Sequence, residues 1–375
     1  MTAFLIVIIL VILLLFCLLP FLVAWLVQRQ TFRPIQIHKY SSLKHYSDYQ
    51  DQYERQEIHF PSGKNQLFGA IYPPKAGLDQ ARGLIVFAHG IWSGPEEYLM
   101  LLLWLVDRGY AVFTYNATSY NGSEGSWARG LYQSPLDLDA ALTYVEKDPT
   151  LSGLPRYLMG HSWGGFAVTA GLYFNHRVDG VISLSGFDQP IKMTMAVAPQ
   201  MFGTQAVTFY LPLLFINRCL FGRNVELTAV KGINQTQAPV LLVHGKGDDF
   251  IGFDTTSIIS QKDRITNPGL STIVLDRPDY CGHNSYFLSK ESETYSEEIN
   301  QKFSEEEKKW KKEHRSGTKK EKEKALADLR KSYYEKIDKN KTNVPNEELY
   351  QKLYAFLEDC EKKEAVTKES KPGSK

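Results

Sequence analysis

The most informative motif in this sequence is GHSWGG at Gly160–Gly165. It directly follows the apolar run Tyr157–Met159 and opens a stretch with helical spacing. In this context a G-x-S-x-G sequence is typical of a nucleophile elbow, a tight strand-to-helix turn that presents its serine at the edge of a sheet. Glycines are needed there because the turn is strained and neighbouring backbone approaches closely. The sequence therefore predicts Ser162 as a nucleophile.

Short apolar runs on both sides of the elbow predict a sheet. Gln56–Phe60 and Gln66–Tyr72 alternate apolar and polar residues around a turn-prone Pro-Ser-Gly, which predicts an antiparallel hairpin. Continuous apolar runs, typical of strands buried on both faces, follow at Gly83–Ala88, Tyr110–Tyr115, Tyr157–Gly160, Gly180–Leu184, Pro239–His244 and Ser271–Leu275. Helical stretches are predicted between them at Glu96–Arg108, Pro135–Lys147 and Trp163–Asn175. This alternation predicts an α/β fold, a mostly parallel eight-stranded sheet flanked by helices.

The N-terminal segment is almost entirely apolar. From Ala3 to Val27 it has no charged residue, and roughly 20 apolar residues in a helix suffice to cross a bilayer core. A cleaved signal peptide is disfavoured for three reasons. The segment has no basic n-region, its apolar run is longer than the h-region of a signal peptide, and it has no small-residue cleavage site. Residues 1–28 are therefore predicted to be a single-pass transmembrane anchor, with the lipid bilayer as partner. Basic residues follow the segment and none precedes it, which favours the cytoplasmic face for the rest of the chain.

The rest of the chain divides by composition. Residues 29–54 are polar and tyrosine-rich and predict a juxtamembrane stalk or a first surface helix. Residues 55–288 hold the elbow and the predicted strands. Within them a Met- and Phe-rich insertion at about 187–236 is predicted to be a helical cap, although a packed core would have the same composition.

Three segments follow that domain. Residues 289–341 are dense in Lys and Glu and predict a charged hairpin of two exposed helices, separated near Ser316-Gly317. A last amphipathic helix at 342–364 is predicted to close the main domain, and residues 365–375 are predicted to be a disordered tail. A protein partner could bind the hairpin, but a merely solvated extension would show the same pattern.

Composition and motifs exclude several classes of function. The formal net charge is +1 at pH 7, so nothing indicates binding to nucleic acid. The four cysteines show neither the spacing of a disulfide framework nor that of a metal finger. The GHSWGG stretch also lacks the terminal Lys-Ser/Thr of a phosphate-binding loop. We therefore expect no cofactor and no metal.

A serine at its ordinary pKa is a poor nucleophile and needs a base, which in turn needs an orienting acid. In a fold with this elbow the chain order is Ser, then Asp or Glu, then His. Asp248 follows one predicted strand and His283 follows the next. The carboxyl ends of parallel strands meet at the same edge of a sheet. The sequence therefore predicts the triad Ser162, Asp248 and His283.

Other residues near strand ends compete for the roles of acid and base: Asp249, Asp276, Asp279, His89, His161 and His244. The histidines at 89 and 244 each precede a glycine and are predicted to shape turns. His161 adjoins the serine along the chain and is predicted to point away from it. Two main-chain amides, those of Ile91 and Trp163, are predicted to form an oxyanion hole.

From about Gln56 to Phe287, together with the last helix, the chain resembles the α/β-hydrolase superfamily. Within it, the chain is similar to the serine aminopeptidase and monoacylglycerol-lipase-like branch. The matching stretches are LIVFAHG ending at Gly90, GHSWGG, HGKGDD at His244–Asp249 and GHNS at Gly282–Ser285. The resemblance implies the same triad and amides, and a cap before the acid-bearing strand. Many relatives carry Asp-x-Arg-Gly where this chain has 115–120, which leaves the triad intact and puts the substrate range in doubt.

These observations favour a membrane-anchored serine hydrolase that cleaves an ester or thioester with an apolar acyl group. A Met- and Phe-rich cap can repack around varied chains, and an anchor keeps the site near lipids. A serine aminopeptidase acting on short peptides is the first alternative. It usually needs an acidic group for the substrate's amine, and the cap offers only Asp188 and Glu226. A non-catalytic, membrane-tethered interaction protein that uses the charged hairpin is the second alternative.

Overall fold

A computed structural model describes residues 2–38, 40–314 and 318–369. Its strands are, in chain order, β1 (Gln56–Ser62), β2 (Asn65–Tyr72), β3 (Leu84–Ala88), β4 (Ala111–Tyr115), β5 (Arg156–His161), β6 (Gly180–Leu184), β7 (Val240–Gly245) and β8 (Leu270–Leu275). They form one 8-stranded sheet in the order β1-β2-β4-β3-β5-β6-β7-β8. β2 pairs antiparallel with β1 and β4, and the other pairs are parallel. The predicted α/β fold with a mostly parallel sheet is therefore confirmed.

Helices cover both faces of this sheet. In the described chain they are α1 (Thr2–Thr31), α2 (Leu99–Val106), α3 (Gln133–Lys147), α4 (Trp163–Ala170), α5 (Pro190–Phe202), α6 (Tyr210–Phe221), α7 (Ala229–Gln235), α8 (Lys290–Glu313), α9 (Lys319–Tyr334) and α10 (Glu347–Glu369). α3, α4 and α7 share one buried cluster with the sheet, and α2 and α10 share another. Strands β3 to β7 are buried at every position, which explains their continuous apolar runs.

The N-terminal helix packs on the main body at its C-terminal end. α1 extends beyond the predicted boundary at residue 28, and Ala24 is buried with Leu213 and Ile216 of α6. Within the part of the chain that the structure describes, no helix has the length and apolarity needed to cross a membrane. The predicted transmembrane anchor is therefore not supported.

The segment after α1 forms neither a stalk nor a surface α-helix. Ile35 forms a β-bridge with Tyr120, and the helical structure among the described residues of this segment is a 3-10 turn at Tyr46–Asp48. The polar side chains that suggested a stalk instead bind the main body, as when His45 pairs with Glu96 at 2.9 Å.

The insertion between β6 and β7 is shorter than predicted. α5 and α6 pack against the loops above the sheet and against α1, but α7 belongs to the core. Ala229 and Ile233 of α7 are fully buried, and a Cβ atom added at Gly232 would lie 2.0 Å from the backbone oxygen of Thr169. The predicted cap at 187–236 therefore ends before α7, because the apolar stripe of α7 packs on α4.

At the C-terminal side, α8 and α9 pack against each other around Phe303 and Tyr334. The predicted break at Ser316-Gly317 lies outside the described residues. At the base of this pair, the Thr342 hydroxyl donates to the backbone oxygen of Ser42. α10 continues to Glu369, into the predicted disordered tail, because no glycine or proline interrupts the chain before residue 372. Residues 370–375 lie outside the described part.

The packing of α10 on the sheet predicts a large effect of Leu353→Ala. The Leu353 side chain is 0% exposed, and its truncation leaves a cavity, which costs about 2–5 kcal/mol of unfolding free energy. Urea denaturation followed by circular dichroism measures this loss. Lys352→Ala, at an exposed neighbour, should change the free energy by less than about 0.5 kcal/mol. Equally small losses in both variants would contradict the docking of α10 on the sheet.

Candidate active site

The nucleophile elbow is a strained turn enclosed by backbone. Ser162 lies between β5 and α4 with φ 57° and ψ −113°, a conformation that non-glycine residues adopt only when surrounding structure imposes it. A Cβ atom at Gly160 would lie 2.3 Å from the backbone oxygen of Gly164, and one at Gly164 would lie 1.9 Å from that of Ala88. Both positions therefore require glycine.

The structure brings the three predicted triad residues together at the carboxyl edge of the sheet. Ser162 Oγ lies 3.0 Å from His283 Nε2, and His283 Nδ1 lies 2.8 Å from Asp248 Oδ2. Since a carboxylate can only accept, Nδ1 carries the proton and Nε2 accepts from the serine hydroxyl. Each residue comes from a different loop, after β5, β7 and β8.

The competing acidic residues lie away from the His283 ring. The side chains at 249 and 276 are exposed, and the Asp279 carboxylate lies 3.7 Å from Lys290 Nζ at the surface. Asp248 is buried instead, and it is the carboxylate that hydrogen-bonds to the imidazole.

Asp248 is held ionised by hydrogen bonds. Burial by itself would raise its pKa, but hydrogen bonds from His244 and His283 and from the Ile251 amide outweigh burial and hold the pKa well below its usual range. Its Oδ1 accepts from the amides of Phe250 at 3.0 Å and Ile251 at 2.7 Å. A fixed negative charge therefore lies beside Nδ1 of His283.

Two further histidines support the triad through contacts that the sequence did not predict, although the bond of His244 to Ile251 agrees with its predicted role in shaping a turn. His161 is buried, accepts a hydrogen bond from the Tyr98 hydroxyl at 2.8 Å and donates through Nε2 to the backbone oxygen of His283 at 3.1 Å. His244 Nε2 lies 2.9 Å from the Ile251 oxygen and 3.1 Å from Asp248 Oδ2. The partners of His161 are distant along the chain, whereas those of His244 lie in the loop that directly follows it. The position of both histidines at strand ends was the signal in the sequence for such roles.

The loop after β3 is shaped by His89. This buried imidazole donates through Nδ1 to the Gly90 oxygen at 2.7 Å and accepts through Nε2 from the Ala117 amide at 2.9 Å. The loop places Ile91 on the same cavity as Ser162 and Trp163. In the described chain, neither the Ile91 amide nor the Trp163 amide donates a hydrogen bond to another group, so both remain available to an oxygen atom beside the serine.

Ser162 opens into an apolar cavity of about 310 Å³ between the sheet edge, the cap and α1. Its lining includes Met193, Phe209 and Leu213 from the cap side and Gln28 and Phe32 from the N-terminal segment. None of the described residues that line it is Asp, Glu, Lys or Arg. Such a cavity fits an uncharged, apolar group. Among the described residues, no group of His, Cys, Asp and Glu is arranged to hold a metal ion.

A sequence model of the alpha/beta hydrolase family matches residues 85–295, more than half of the chain. The chain therefore belongs to this family. The match includes the elbow and the loops that carry Asp248 and His283. A comparison with curated proteins finds no matching sequence.

The comparison with solved structures finds an esterase whose fold agrees with this one. An esterase from Pyrococcus furiosus is 16% identical, with a TM-score of 0.52 over 72% of this chain and 96% of the esterase. Est1E from Butyrivibrio proteoclasticus, solved with ferulic acid, is 18% identical, with a TM-score of 0.47 over 66% of this chain and 98% of its own. An acylaminoacyl peptidase from Pyrococcus horikoshii is 17% identical, with a TM-score of 0.46 over 64% of this chain and 39% of the peptidase. At these identities the likeness concerns the fold alone.

The buried histidines predict a loss of stability in mild acid. Burial, with a smaller effect of His283, lowers the pKa of His161 to about 3, and burial lowers that of His89 to about 4. The unfolded chain binds these protons near pH 6.5, whereas the folded chain does not. The free energy of unfolding should therefore fall as the pH drops from about 6.5 towards 4. Each histidine should account for about 2 kcal/mol of the fall in unfolding free energy between pH 7.5 and pH 5.0.

Urea denaturation of His161→Gln at these two pH values measures that contribution. The variant should lose about 2 kcal/mol less than the wild type between pH 7.5 and pH 5.0, because one imidazole no longer takes up a proton on unfolding. His59→Gln, at an exposed position, should retain the wild-type difference. A full wild-type difference in His161→Gln would show that His161 is not held neutral.

Proposed function

We propose that the protein is a serine hydrolase that cleaves an ester or thioester with an apolar acyl group. The observation that carries this proposal is the hydrogen-bonded chain from Ser162 to His283 to Asp248, with distances of 3.0 and 2.8 Å, at the wall of an uncharged cavity. A nucleophile, its base and the orienting acid in this geometry are the parts that acyl transfer requires.

In the proposed reaction Ser162 Oγ attacks the carbonyl carbon while His283 Nε2 takes its proton. The carboxylate of Asp248 stabilises the imidazolium that forms. The amides of Ile91 and Trp163 bind the developing oxyanion, aided by the N-terminal end of α4. His283 then returns the proton to the leaving alcohol or thiol, and a water molecule activated by the same imidazole hydrolyses the acyl-enzyme.

The lining of the cavity favours an ester over a peptide with a free amine. Asp188, one of the two acids considered for amine binding, is buried and accepts a hydrogen bond from the Val230 amide at 3.0 Å. Glu226, the other, pairs with Arg218 at 3.2 Å. Neither lines the cavity, so an ammonium group there would lack a counter-ion. The serine aminopeptidase and monoacylglycerol-lipase-like branch stays a prediction.

We propose further that α1 attaches the protein to a lipid bilayer. Large apolar side chains are exposed along α1 and on the adjoining α6: Phe4, Leu5, Ile6, Val7, Ile8, Val11, Leu14, Leu18, Leu19, Leu22, Trp25, Leu26, Tyr210, Leu211, Leu214 and Phe215. The two helices are in contact, with the rings of Phe21 and Phe215 5.7 Å apart. Contiguous apolar surface of this kind is typical of membrane attachment. Single-pass topology and a cytoplasmic catalytic domain stay predictions.

Ser162→Ala tests the catalytic proposal. We expect kcat/KM on p-nitrophenyl acyl esters to fall by about 10³-fold or more, because the variant has no nucleophile to form the acyl-enzyme. A fluorophosphonate probe should label the wild type at this serine and leave the variant unlabelled, as read by mass spectrometry.

Ser332→Ala is the matched control, since Ser332 is exposed on α9, and it should retain wild-type rates and labelling. Folded wild-type protein that neither reacts with the probe nor hydrolyses any ester or proline arylamide would contradict the enzymatic proposal. That result would favour the alternative of a non-catalytic interaction protein.

Replacing Leu18, Leu22 and Leu26 together by Ser tests membrane attachment. These side chains are 57%, 52% and 49% exposed, and their loss removes apolar area that would enter the bilayer. The wild type should float with phosphatidylcholine vesicles in a density gradient, and the triple variant should float several-fold less. Val344→Ser, at an apolar residue exposed elsewhere, should float like the wild type. Equal flotation of the triple variant would refute a role for α1.

A further inference from the structure

The end of the α8–α9 hairpin that lies away from its contacts with the main body is rich in lysine. Between residues 290 and 307, the part of α8 nearer the body contains seven Glu and two Lys. Exposed lysines instead occupy the last turns of α8 and the first turns of α9, and we call them the basic tip: Lys308, Lys309, Lys311, Lys312, Lys320 and Lys324. Positive charge is therefore concentrated at one end of the hairpin.

Helix stability explains only part of this pattern. The C-terminal end of a helix carries partial negative charge and favours cations, whereas the N-terminal end disfavours them. Lysines at the end of α8 are therefore favourable, but α9 begins with the sequence KKEK, in which Glu321 is the one acidic residue. The lysines of the two helix ends also repel one another. Such an arrangement is unfavourable for the hairpin by itself and is accounted for if the tip faces an anionic partner.

The hairpin follows the chain that leads back to α1. Asn300 of α8 donates to Ser42 Oγ at 3.2 Å. About one turn nearer the tip, Phe303 belongs to the cluster against which Tyr40 packs. Followed from residue 42 back towards α1, the chain therefore runs alongside α8 in the direction of the basic tip.

The same segment then reaches the carboxyl edge of the sheet. Ile35 forms a bridge with Tyr120, in the loop after β4. Thr31, at the end of α1, accepts a hydrogen bond at 2.9 Å from the indole of Trp92, in the loop after β3. β3 and β4 are parallel, so both loops lie at this edge. The basic tip therefore extends towards the side of the molecule that carries α1 and its exposed apolar surface.

We infer that the basic tip binds the anionic headgroups of phospholipids in the bilayer to which α1 attaches. The inference rests on the proposed membrane attachment and adds the lipid charge that this attachment recognises. Lysines close to an anionic membrane surface gain favourable electrostatic energy, and several of them act together because the surface presents many charged headgroups. A second contact, distant from α1 along the chain, limits the rotation of the catalytic body on the membrane.

Partition of the full chain onto lipid vesicles tests this inference. The partition coefficient is measured by flotation at limiting lipid, on phosphatidylcholine alone and on phosphatidylcholine mixed equally with phosphatidylserine. We expect it to be about 10-fold or more higher on the mixed vesicles. Added sodium chloride should reduce this ratio, because salt screens exposed charges, and should leave the value on phosphatidylcholine nearly unchanged.

The test variant replaces three lysines of the basic tip together: Lys308→Gln, Lys312→Gln and Lys320→Gln. Lys311 is kept because it pairs with Glu307 at 2.9 Å. The variant should bind mixed vesicles about 10-fold or more weakly than the wild type and should bind phosphatidylcholine vesicles equally well.

The matched control replaces three exposed lysines of the main body together: Lys64→Gln, Lys147→Gln and Lys262→Gln. It changes the net charge of the chain by the same amount and should bind both kinds of vesicle like the wild type. Circular dichroism spectra identical to that of the wild type show that both variants are folded.

The outcomes separate this inference from attachment through α1. Flotation that does not respond to phosphatidylserine overturns the role of the basic tip, and this is the result expected if the tip binds an acidic protein or a nucleic acid instead. Equal losses in the two triple variants overturn it as well, because they would reflect net charge alone. Protein that binds mixed vesicles through the tip but does not bind phosphatidylcholine supports the inference and contradicts attachment through α1.

Discussion

The close approach of three backbone segments at the elbow is the constraint on which the rest of the site depends. α4 can begin directly above the sheet only because Gly160 and Gly164 have no side chains, and Gly164 touches the end of β3 at Ala88. The chain between β5 and α4 must then turn within one residue, and that residue is Ser162, at φ 57°. A wider turn would withdraw the hydroxyl from the edge where the loops of the acid and base meet. Backbone packing thus fixes the position of the Ser162 hydroxyl at this edge of the sheet.

The triad also depends on electrostatics. Asp248 would be neutralised by burial if its oxygens were unpaired, but two histidines and two amides satisfy them. Hydrogen bonds to the charged form outweigh desolvation here. His161 contributes differently, through the backbone oxygen of His283. It must be neutral and singly protonated to accept from Tyr98 and donate to that oxygen, which is consistent with its low pKa.

Sequence could predict the parts of the molecule that are governed by local chemistry or chain order. Strands buried on both faces have continuous apolar runs, so the sheet was predictable to within a residue or two at most ends. The elbow has a local motif, and the order of acid and base follows from the fold. The geometry of the loop after β7 decides which residue is the acid of the triad. The sequence alone allowed Asp249 as well as Asp248. The contacts of His161 with Tyr98 and His283 could not be predicted, because they join residues that are distant along the chain and meet only after folding. The contact of His244 with Asp248 depends on the geometry of the loop between them.

The N-terminal segment also shows a limit of prediction from sequence. An apolar run predicts a helix that avoids water, but it does not tell which part of that helix packs on protein. Ala24 and Gln28 are buried against the cap and the sheet edge, whereas neighbours such as Trp25 and Leu26 are exposed. α7 shows the opposite error. Its apolar residues lie in the segment that was predicted to be a cap, but they pack in the core beneath the sheet's helices.

Because α1 forms one wall of the cavity, its last turns help to set the shape of the chamber beside Ser162. A substitution that altered the packing of these turns would therefore alter that chamber as well. A chain trimmed to its globular part, as is common when apolar leaders hinder purification, would present that chamber open to solvent on one side. Measurements on such a fragment would therefore describe a chamber that differs from that of the intact polypeptide.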